Sequence, residues 1–490
     1  MGVHRRRLRK IAMIRRSREL LWSGSGLLLR STSVTNCWAT SGVDLHLELT
    51  GHRRRQALEQ ALRDAVADGR LPSGSRLPSS RSLAEDLGLA RNTVVEAYSQ
   101  LVAEGWLSAR RGSATRVCAH VPTTHPGQVE GPEVTRGLPY DLRPGGPDLS
   151  SFPRSAWITA SRRAWYAASF ADLGYGDPMG TGQLRHALAG YLGRARGVRT
   201  DASRIMICSG FTQAWALLCR TLLERGADSV ALEAYGLQHL GQIAAQSKFS
   251  VVSVPVDEEG ADFALVPAAS AAVVTPAHQF PLGWVLSPQR RRAAVGWARA
   301  TRALIVEDDY DGEFRYDRDP LGALQGLDPE HIIYVGTASK TLAPGLRLAW
   351  LALPPDLVRP LESIKLLTDR HAPVLEQLTL AQFISSGAYD RHIRRRRLVY
   401  RHRRDLLVAA LGAGRVEGAS AGLHVIIRLP EGMAEATAIS RAAERGLAVE
   451  GLQAYRLGAQ DHAPSLVVGY AGPPDHLYPK ALSALLAALD

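Results

Sequence analysis

A chain of 490 residues has room for about three domain-sized units, and 46% hydrophobic against 22% charged residues is the balance of an ordinary globular protein, which excludes a fibrous or wholly disordered chain. No apolar run approaches the roughly 18 residues that cross a bilayer. Cys37, Cys118, Cys208 and Cys219 are scattered without C-x-x-C spacing, so neither a disulfide framework nor a metal site is expected, and the thiols suit a reducing cytoplasm. The net charge of +12 invites a polyanionic partner, but residues 1–42 concentrate the excess, with Glu19 as their lone acid. A nucleic-acid function therefore has to rest on motif and geometry rather than on pI.

Residues 1–42 open with the clusters HRRRLRK and IRRSR and continue in Ser-, Thr- and Gly-rich text. Such a stretch buries little apolar surface and reads as a disordered extension or an upstream start codon, although its Arg- and Ser-rich character also resembles a transit peptide or a basic arm. From Arg53 the pattern changes. Leu58, Ala61, Leu62, Ala65 and Val66 have the spacing of an amphipathic helix that ends near Gly69. After a turn region with Pro72, Gly74 and Pro78, Ser80 is expected to cap a short helix carrying Leu83, Ala84 and Leu87 and closed by Gly88. A third helix shows Val94, Ala97, Tyr98, Leu101 and Val102 on one face. Two helices about a short Gly-containing turn form a helix-turn-helix. The first turn of its second helix carries Arg91, Asn92 and Thr93, which can bond guanine, adenine and a thymine edge or methyl in the major groove of double-stranded DNA. Residues 106–108 and 115–117 read as two strands about a basic turn, Arg110, Arg111, Gly112 and Ser113: a wing placed for phosphate or minor-groove contact. These elements define a DNA-binding domain at 43–118. Residues 119–140, rich in Pro, Gly and Thr, follow as a semi-extended linker.

The body at 141–490 is organised around YVGTASKTLAPGLR. Ile332 to Val335 looks like a buried strand that stops at Gly336, leaving Thr337, Ala338, Ser339 and Lys340 at its exit, with Arg347 returning after the turn at Pro344 and Gly345. The lysine amine suits a Schiff base and the guanidinium a phosphate clamp, a pairing that fits an aldehyde cofactor. Three more apolar runs look like buried parallel strands that deliver polar residues at their carboxyl ends. Ala303–Val306 precedes Glu307, Asp308, Asp309 and Tyr310; Ala271–Val274 precedes Thr275; Ile205–Ile207 precedes Cys208, Ser209 and Gly210. Phe211 and Thr212 would open a helix whose backbone N–H groups hold a phosphate. Asp308 or Asp309 could pair with a protonated pyridine nitrogen, and the Tyr310 hydroxyl could donate to the ring's phenolic oxygen.

The order of YGDPMGTGQLR, GFTQA, TPAHQFPLGW, IVEDDYDGEFRY and GTASKTLAPGLR resembles the pyridoxal-phosphate aminotransferases of fold type I. GRLPSGSRLPSSRSLAEDLGLARNTVVEAYSQLVAEGWL resembles a GntR-type winged helix, and the fusion of the two is the hallmark of the MocR regulators, GabR-like and PdxR-like. The resemblance spans roughly residues 45–475. It implies a winged helix-turn-helix joined by a linker to an α/β aminotransferase-like domain, pyridoxal 5'-phosphate as cofactor, a head-to-tail homodimer, and DNA approached by the residues at Arg81, Arg91, Thr93 and Gly112. Tyr175 resembles the tyrosine that such dimers lend to the partner's cofactor phosphate, and Tyr235 is a candidate to stack on the pyridine ring. Helical patterns around Leu380, Phe383 and Leu398 and strands at 424–429 and 466–468 fit the small domain.

Two departures bear on chemistry. Phe280 stands where enzymes of this fold carry the asparagine of Asn-Pro-x-Gly, and residues 457–490 contain no arginine to clamp a substrate carboxylate, whose position falls near Ser465. The expectation is a cytoplasmic transcription regulator that senses pyridoxal phosphate, alone or as an aldimine with an amine or amino-acid effector. A working aminotransferase with a DNA-binding head is the alternative, and a cofactor-free scaffold that dimerises the head is a third.

Overall fold

The computed structural model describes residues 53–110, 113–118, 138–266, 268–317 and 321–490. The chain divides into two compact units, Met1–Glu133 and Val134–Asp490. No described helix is long and apolar enough to cross a membrane.

The first unit contains α1 (Arg54–Ala67), α2 (Ser80–Leu87) and α3 (Arg91–Ala103), then β1 (Leu107–Ser108) and β2 (Arg116–Val117) paired antiparallel. Leu58, Leu62, Leu83, Val94, Leu101, Leu107 and Val117 form one core, each burial contributing about 1.5–3 kcal/mol. The cap of α2 lies one residue earlier than the sequence suggests: Ser79, not Ser80, accepts the N–H of Ser82 at 3.1 Å. Both serines are competent caps, and the extended backbone at Ser79 decides between them. Gly88 ends the helix at φ 61°, the left-handed conformation that glycine adopts without strain.

The second unit begins earlier than the expected linker ends, since Tyr140 and Asp141 pair in parallel with Leu447 and Ala448. The strands of its large sheet and the helices discussed below are, in chain order, α4 (Arg154–Ala167), α5 (Gly182–Arg196), β3 (Ile205–Cys208), α6 (Phe211–Glu224), β4 (Ser229–Glu233), β5 (Ser250–Val254), β6 (Ala271–Val274), β7 (Leu304–Asp309), β8 (Ile332–Thr337) and β9 (Ala349–Ala352). The seven strands form one sheet in the order β3-β9-β8-β7-β6-β4-β5. All pairs are parallel except those of β9, which runs antiparallel to both β8 and β3. The expectation that Ile205–Ile207 sits beside a parallel neighbour therefore fails, because the strand that inserts next to it is a reversed one. One face of the sheet packs on α6 through Trp215, Leu218 and Leu222, and the other on α5 through Leu188 and Leu192.

After a helix at Pro355–Thr368 come α7 (Val374–Ser385) and α8 (Ala388–Leu411). Leu380 and Phe383 on α7 pack with Leu184, Ile207 and Trp350, so this helix covers the large sheet rather than belonging to the small domain. Leu398 on α8 is 69% exposed and is not a core residue. The small domain is a four-stranded antiparallel sheet, β10 (Val416–Glu417), β11 (His424–Arg428), β12 (Glu450–Gly451) and β13 (Ser465–Gly469), in the order β10-β11-β13-β12. Val425, Ile427, Leu466 and Val468 pack there against Leu407 of α8.

Candidate functional site

A cleft of about 450 Å³ opens where the large sheet delivers its carboxyl ends. Phe211, Thr212, Tyr235, Asp308, Tyr310, Thr337, Ser339, Lys340 and Arg347 all line it. The strands reach further than their apolar runs: β7 includes Glu307, Asp308 and Asp309, and β8 includes Thr337. Because successive side chains of a strand face opposite ways, the two aspartates part company. Asp309 turns away from the cleft into a bidentate ion pair with Arg196 of α5, at 2.7 and 2.9 Å, and accepts the Tyr334 hydroxyl at 2.8 Å. Asp308 faces the cleft and makes no side-chain hydrogen bond among the described residues. Burial raises its pKa well above the ordinary carboxyl value, the charge of Asp309 adds to this, and Lys340 opposes it.

Lys340 is half-buried, and its ammonium donates to the carbonyl of Gly145. Burial lowers its pKa, against the pull of Asp308 and Asp311. Thr337 donates to the Leu348 carbonyl at 3.1 Å, accepts the N–H of Ser339 at 3.1 Å and lies 2.9 Å from the Ser339 hydroxyl. Arg347 closes the short turn Pro344–Leu346 in the left-handed region, φ 52°, and its guanidinium rests on Gly210, where a Cβ would come within 2.5 Å of a guanidinium nitrogen. Gly210 is also the N-cap of α6, so the fixed cation and the free N–H groups of Phe211 and Thr212 converge on one point. Tyr235 is buried and its hydroxyl donates to Gln460 O at 2.9 Å.

Tyr175 stands apart from these. It does not line the cleft, is 83% exposed, and lies under the guanidinium of Arg370 at 4.4 Å.

Sequence reasoning passed over a second tier. Glu233, at the end of β4, accepts the Thr275 hydroxyl at 2.6 Å and Gln279 Nε2 at 3.1 Å. Its burial pushes the carboxyl up to about 7. His278 and Asp311 stand behind Tyr310. Both belong to the quoted motifs, and the available signal was their place just beyond strand ends. Phe280 lines the cleft and meets Tyr310 edge to face, ring centroids 5.8 Å apart. Ser465, near the position expected for a carboxylate-clamping arginine, is fully buried in β13.

In the first unit Arg81, Arg91 and Asn92 are exposed and Thr93 is half-buried. Neither Arg81 nor Arg91 has an ion-pair partner among the described residues. Arg111 and Gly112 lie outside the described residues.

Residues 54–117 match the bacterial regulatory proteins of the gntR family, and residues 147–484 match aminotransferase class I and II. The chain is 34% identical to the HTH-type pyridoxine biosynthesis transcriptional regulator PdxR of Corynebacterium glutamicum over 84% of its own length and 91% of the relative's. It is 33% identical to the probable rhizopine catabolism regulatory protein MocR of Rhizobium meliloti, over 75% and 78%. Among solved structures it resembles the multiple substrate aminotransferase of Thermococcus profundus, with a TM-score of 0.65 and 25% identity over 73% of this chain and 92% of that one. With its winged helix, its seven-stranded sheet and these relatives, the chain belongs to the MocR subfamily of GntR-type transcription regulators with a fold type I aminotransferase-like domain.

Proposed function

We propose that this regulator binds pyridoxal 5'-phosphate at Lys340 and reads its presence, alone or together with an amine, as a change in how a dimer engages double-stranded DNA. The observation that carries the reading is the convergence in one cleft of a partly desolvated lysine amine, a buried carboxyl with no hydrogen-bond partner among the described residues, and an arginine at a helix N-terminus.

The donor set suits that cofactor. Asp308 would face the pyridine nitrogen, where a protonated ring supplies the partner that the carboxylate lacks. Arg347 and the N–H groups of Phe211 and Thr212 would hold the phosphate, with Thr337 and Ser339 beside them. The absence of a Cβ at Gly210 is what lets the guanidinium approach. When bound, the cofactor supplies an electrophilic aldehyde and an electron-withdrawing ring. The chain's own part is to offer the Lys340 amine with its proton loosened by burial and to fix ring and phosphate from opposite ends.

A regulator is favoured over a working aminotransferase by two features of the cleft. Phe280 offers no hydrogen bond where the enzymes place an asparagine, and Arg347 is the one arginine on the cleft lining among the described residues, so these residues leave a substrate carboxylate no clamp once that cation holds the phosphate. A homodimer is supported by aromatic side chains between residues 165 and 175: Trp165, Tyr166, Phe170 and Tyr175 are 53%, 86%, 97% and 83% exposed. Tyr175, turned out of its own cleft, would then serve the partner's. In DNA binding Arg81, Arg91, Asn92 and Thr93 would read the major groove, with Arg111 and Gly112 on the wing. A regulator with this head acts where the genome is, in the cytoplasm.

The test is visible absorption of the purified full-length protein with added pyridoxal phosphate. A band in the parent that is lost in Lys340→Ala supports the reading, and a parent that stays colourless contradicts it. Rapid multiple-turnover amino transfer would instead favour the enzyme.

A further inference from the structure

We infer that Asp311 and His278 act together as positioning residues for Tyr310, keeping its hydroxyl proton off the imidazole and available to the cleft, where Phe280 supplies no donor in place of the asparagine. The inference rests on the cofactor reading above.

The three groups form a short chain. His278 Nδ1 lies 2.9 Å from Asp311 Oδ2 and 3.1 Å from the Tyr310 hydroxyl. His278 and Asp311 are each 2% exposed, so water does not compete for these contacts. An ionised carboxylate only accepts hydrogen bonds, and the shorter contact therefore assigns the imidazole proton to Nδ1. That N–H is shared between the carboxylate and the tyrosine oxygen. A nitrogen that donates cannot also accept, so the Tyr310 proton is excluded from His278 and is left to the Asp311 carboxylate, its other polar neighbour, until an acceptor occupies the cleft. Tyr310 keeps this proton, because burial raises its pKa well above the ordinary phenol value and the charge of Asp311 adds to the effect.

The surroundings hold the imidazole in place. A Cβ at Gly422 would lie 2.1 Å from His278 Cε1, so glycine is needed for the ring to fit. Gly422 is itself fixed, its carbonyl accepting the hydroxyls of Tyr316 and Tyr470 at 2.6 Å each. On another side lies His424, ring centroid 5.0 Å away, whose Nε2–H donates to Pro281 O at 2.9 Å. Burial keeps His424 neutral, its pKa well below the usual value. Asp308, Glu233 and Lys340 also stand near this point, Arg196 and Arg315 line a small cavity together with His278 and Asp311, and the phenols of Tyr316 and Tyr470 lie within reach of the Asp311 charge. A bound pyridoxal ring would bring its phenolic oxygen to the Tyr310 side, and a donor there stabilises the ionised oxygen.

The experiment is a spectroscopic pH titration of the full-length protein loaded with pyridoxal phosphate. Removing the donor by Tyr310→Phe raises the midpoint of the visible band by about one pH unit, the size of one hydrogen bond to a charged oxygen. Asp311→Asn keeps the shape but lets the imidazole carry its proton on Nε2, so that Nδ1 captures the tyrosine proton. It is expected to raise the midpoint as Tyr310→Phe does and to add nothing in the Tyr310→Phe background. His278→Gln, which removes the imidazole while leaving Asp311 in place, gives an upward shift by the same logic and serves if Asp311→Asn does not fold. A midpoint that moves in Tyr310→Phe but stays at the parent value in the folded Asp311 or His278 variant overturns the positioning role and leaves the cofactor reading intact. Additive shifts in the double variant overturn it likewise. A colourless parent sinks both.

Discussion

Asp308 and Asp309 are adjacent and of the same chemical type, yet their surroundings give them opposite duties. Replacing Asp309 by Asn leaves Arg196 buried beside a neutral amide, and an uncompensated buried charge costs about 3–5 kcal/mol. Urea unfolding of Asp309→Asn is expected to show a loss on that order, whereas Asp308→Asn unfolds within about 0.5–1 kcal/mol of the parent but binds pyridoxal phosphate more weakly and with an altered visible band. Equal destabilisation of the two variants would contradict the assignment of Asp308 to the cleft. The choice between the two was not legible in the sequence, because the apolar run of β7 ends at Val306 while the strand continues to Asp309. The partner that sorts them, Arg196, lies 113 residues away, and local periodicity carries no trace of so distant a contact. Lys340 and Arg347 were legible for the converse reason: both sit just beyond one strand, and a turn marked by Pro344 and Gly345 brings the chain back.

At the scale of elements, the helices of the first unit follow their apolar spacing closely. α1 to α3 bury most of the residues that their periodicity selects, with Ala61, Leu87 and Val102 half-buried, since a small core leaves a helix one way to hide its stripe. Arg91, exposed at the start of α3, contributes nothing to that core. Arg91→Ala is therefore expected to leave thermal unfolding and the cofactor spectrum unchanged while discrimination between DNA sequences falls by about 1–3 kcal/mol. Binding assays on matched and mismatched sites read this directly, and unchanged selectivity would remove α3 as the recognition helix. The placement of α7 was not legible, because its stripe is apolar wherever it docks. Contact with α4 and α5, not its own pattern, puts it on the large sheet. Nearby, α8 carries a pH-sensitive group: His392 is buried, its Nε2–H donates to Thr341 O at 2.8 Å, and desolvation lowers its pKa to about 4 from 6.5. The unfolded chain takes up the proton first as pH falls. The stability tied to the neutral imidazole is thus complete above pH 6.5 and is lost progressively down to about pH 4, a change of about 3 kcal/mol. His392→Gln is expected to flatten the dependence of unfolding free energy on pH across that window, and a slope equal to the parent's would contradict it.

At the scale of the molecule, two units with separate cores are joined in one regulator, and on the proposed reading a cofactor held at Lys340 would influence DNA only by favouring one arrangement of a dimer over another. Linkage makes the effect reciprocal: whatever factor pyridoxal phosphate applies to DNA affinity, DNA applies to pyridoxal phosphate affinity. The double architecture was legible because each unit carries motifs in a fixed order, from LPSSRSLAEDLGLARNTVVEAY to GTASKTLAPGLR. The coupling was not, since no local pattern encodes the relation between two folded bodies. The most direct measurement is the affinity of the purified full-length protein for DNA fragments selected from its own genome, with and without pyridoxal phosphate, in the parent and in Lys340→Ala. Coupling of the usual size predicts a shift of about 5- to 150-fold in the parent and none in the variant. Affinities that are the same with and without the cofactor in the parent would contradict the account.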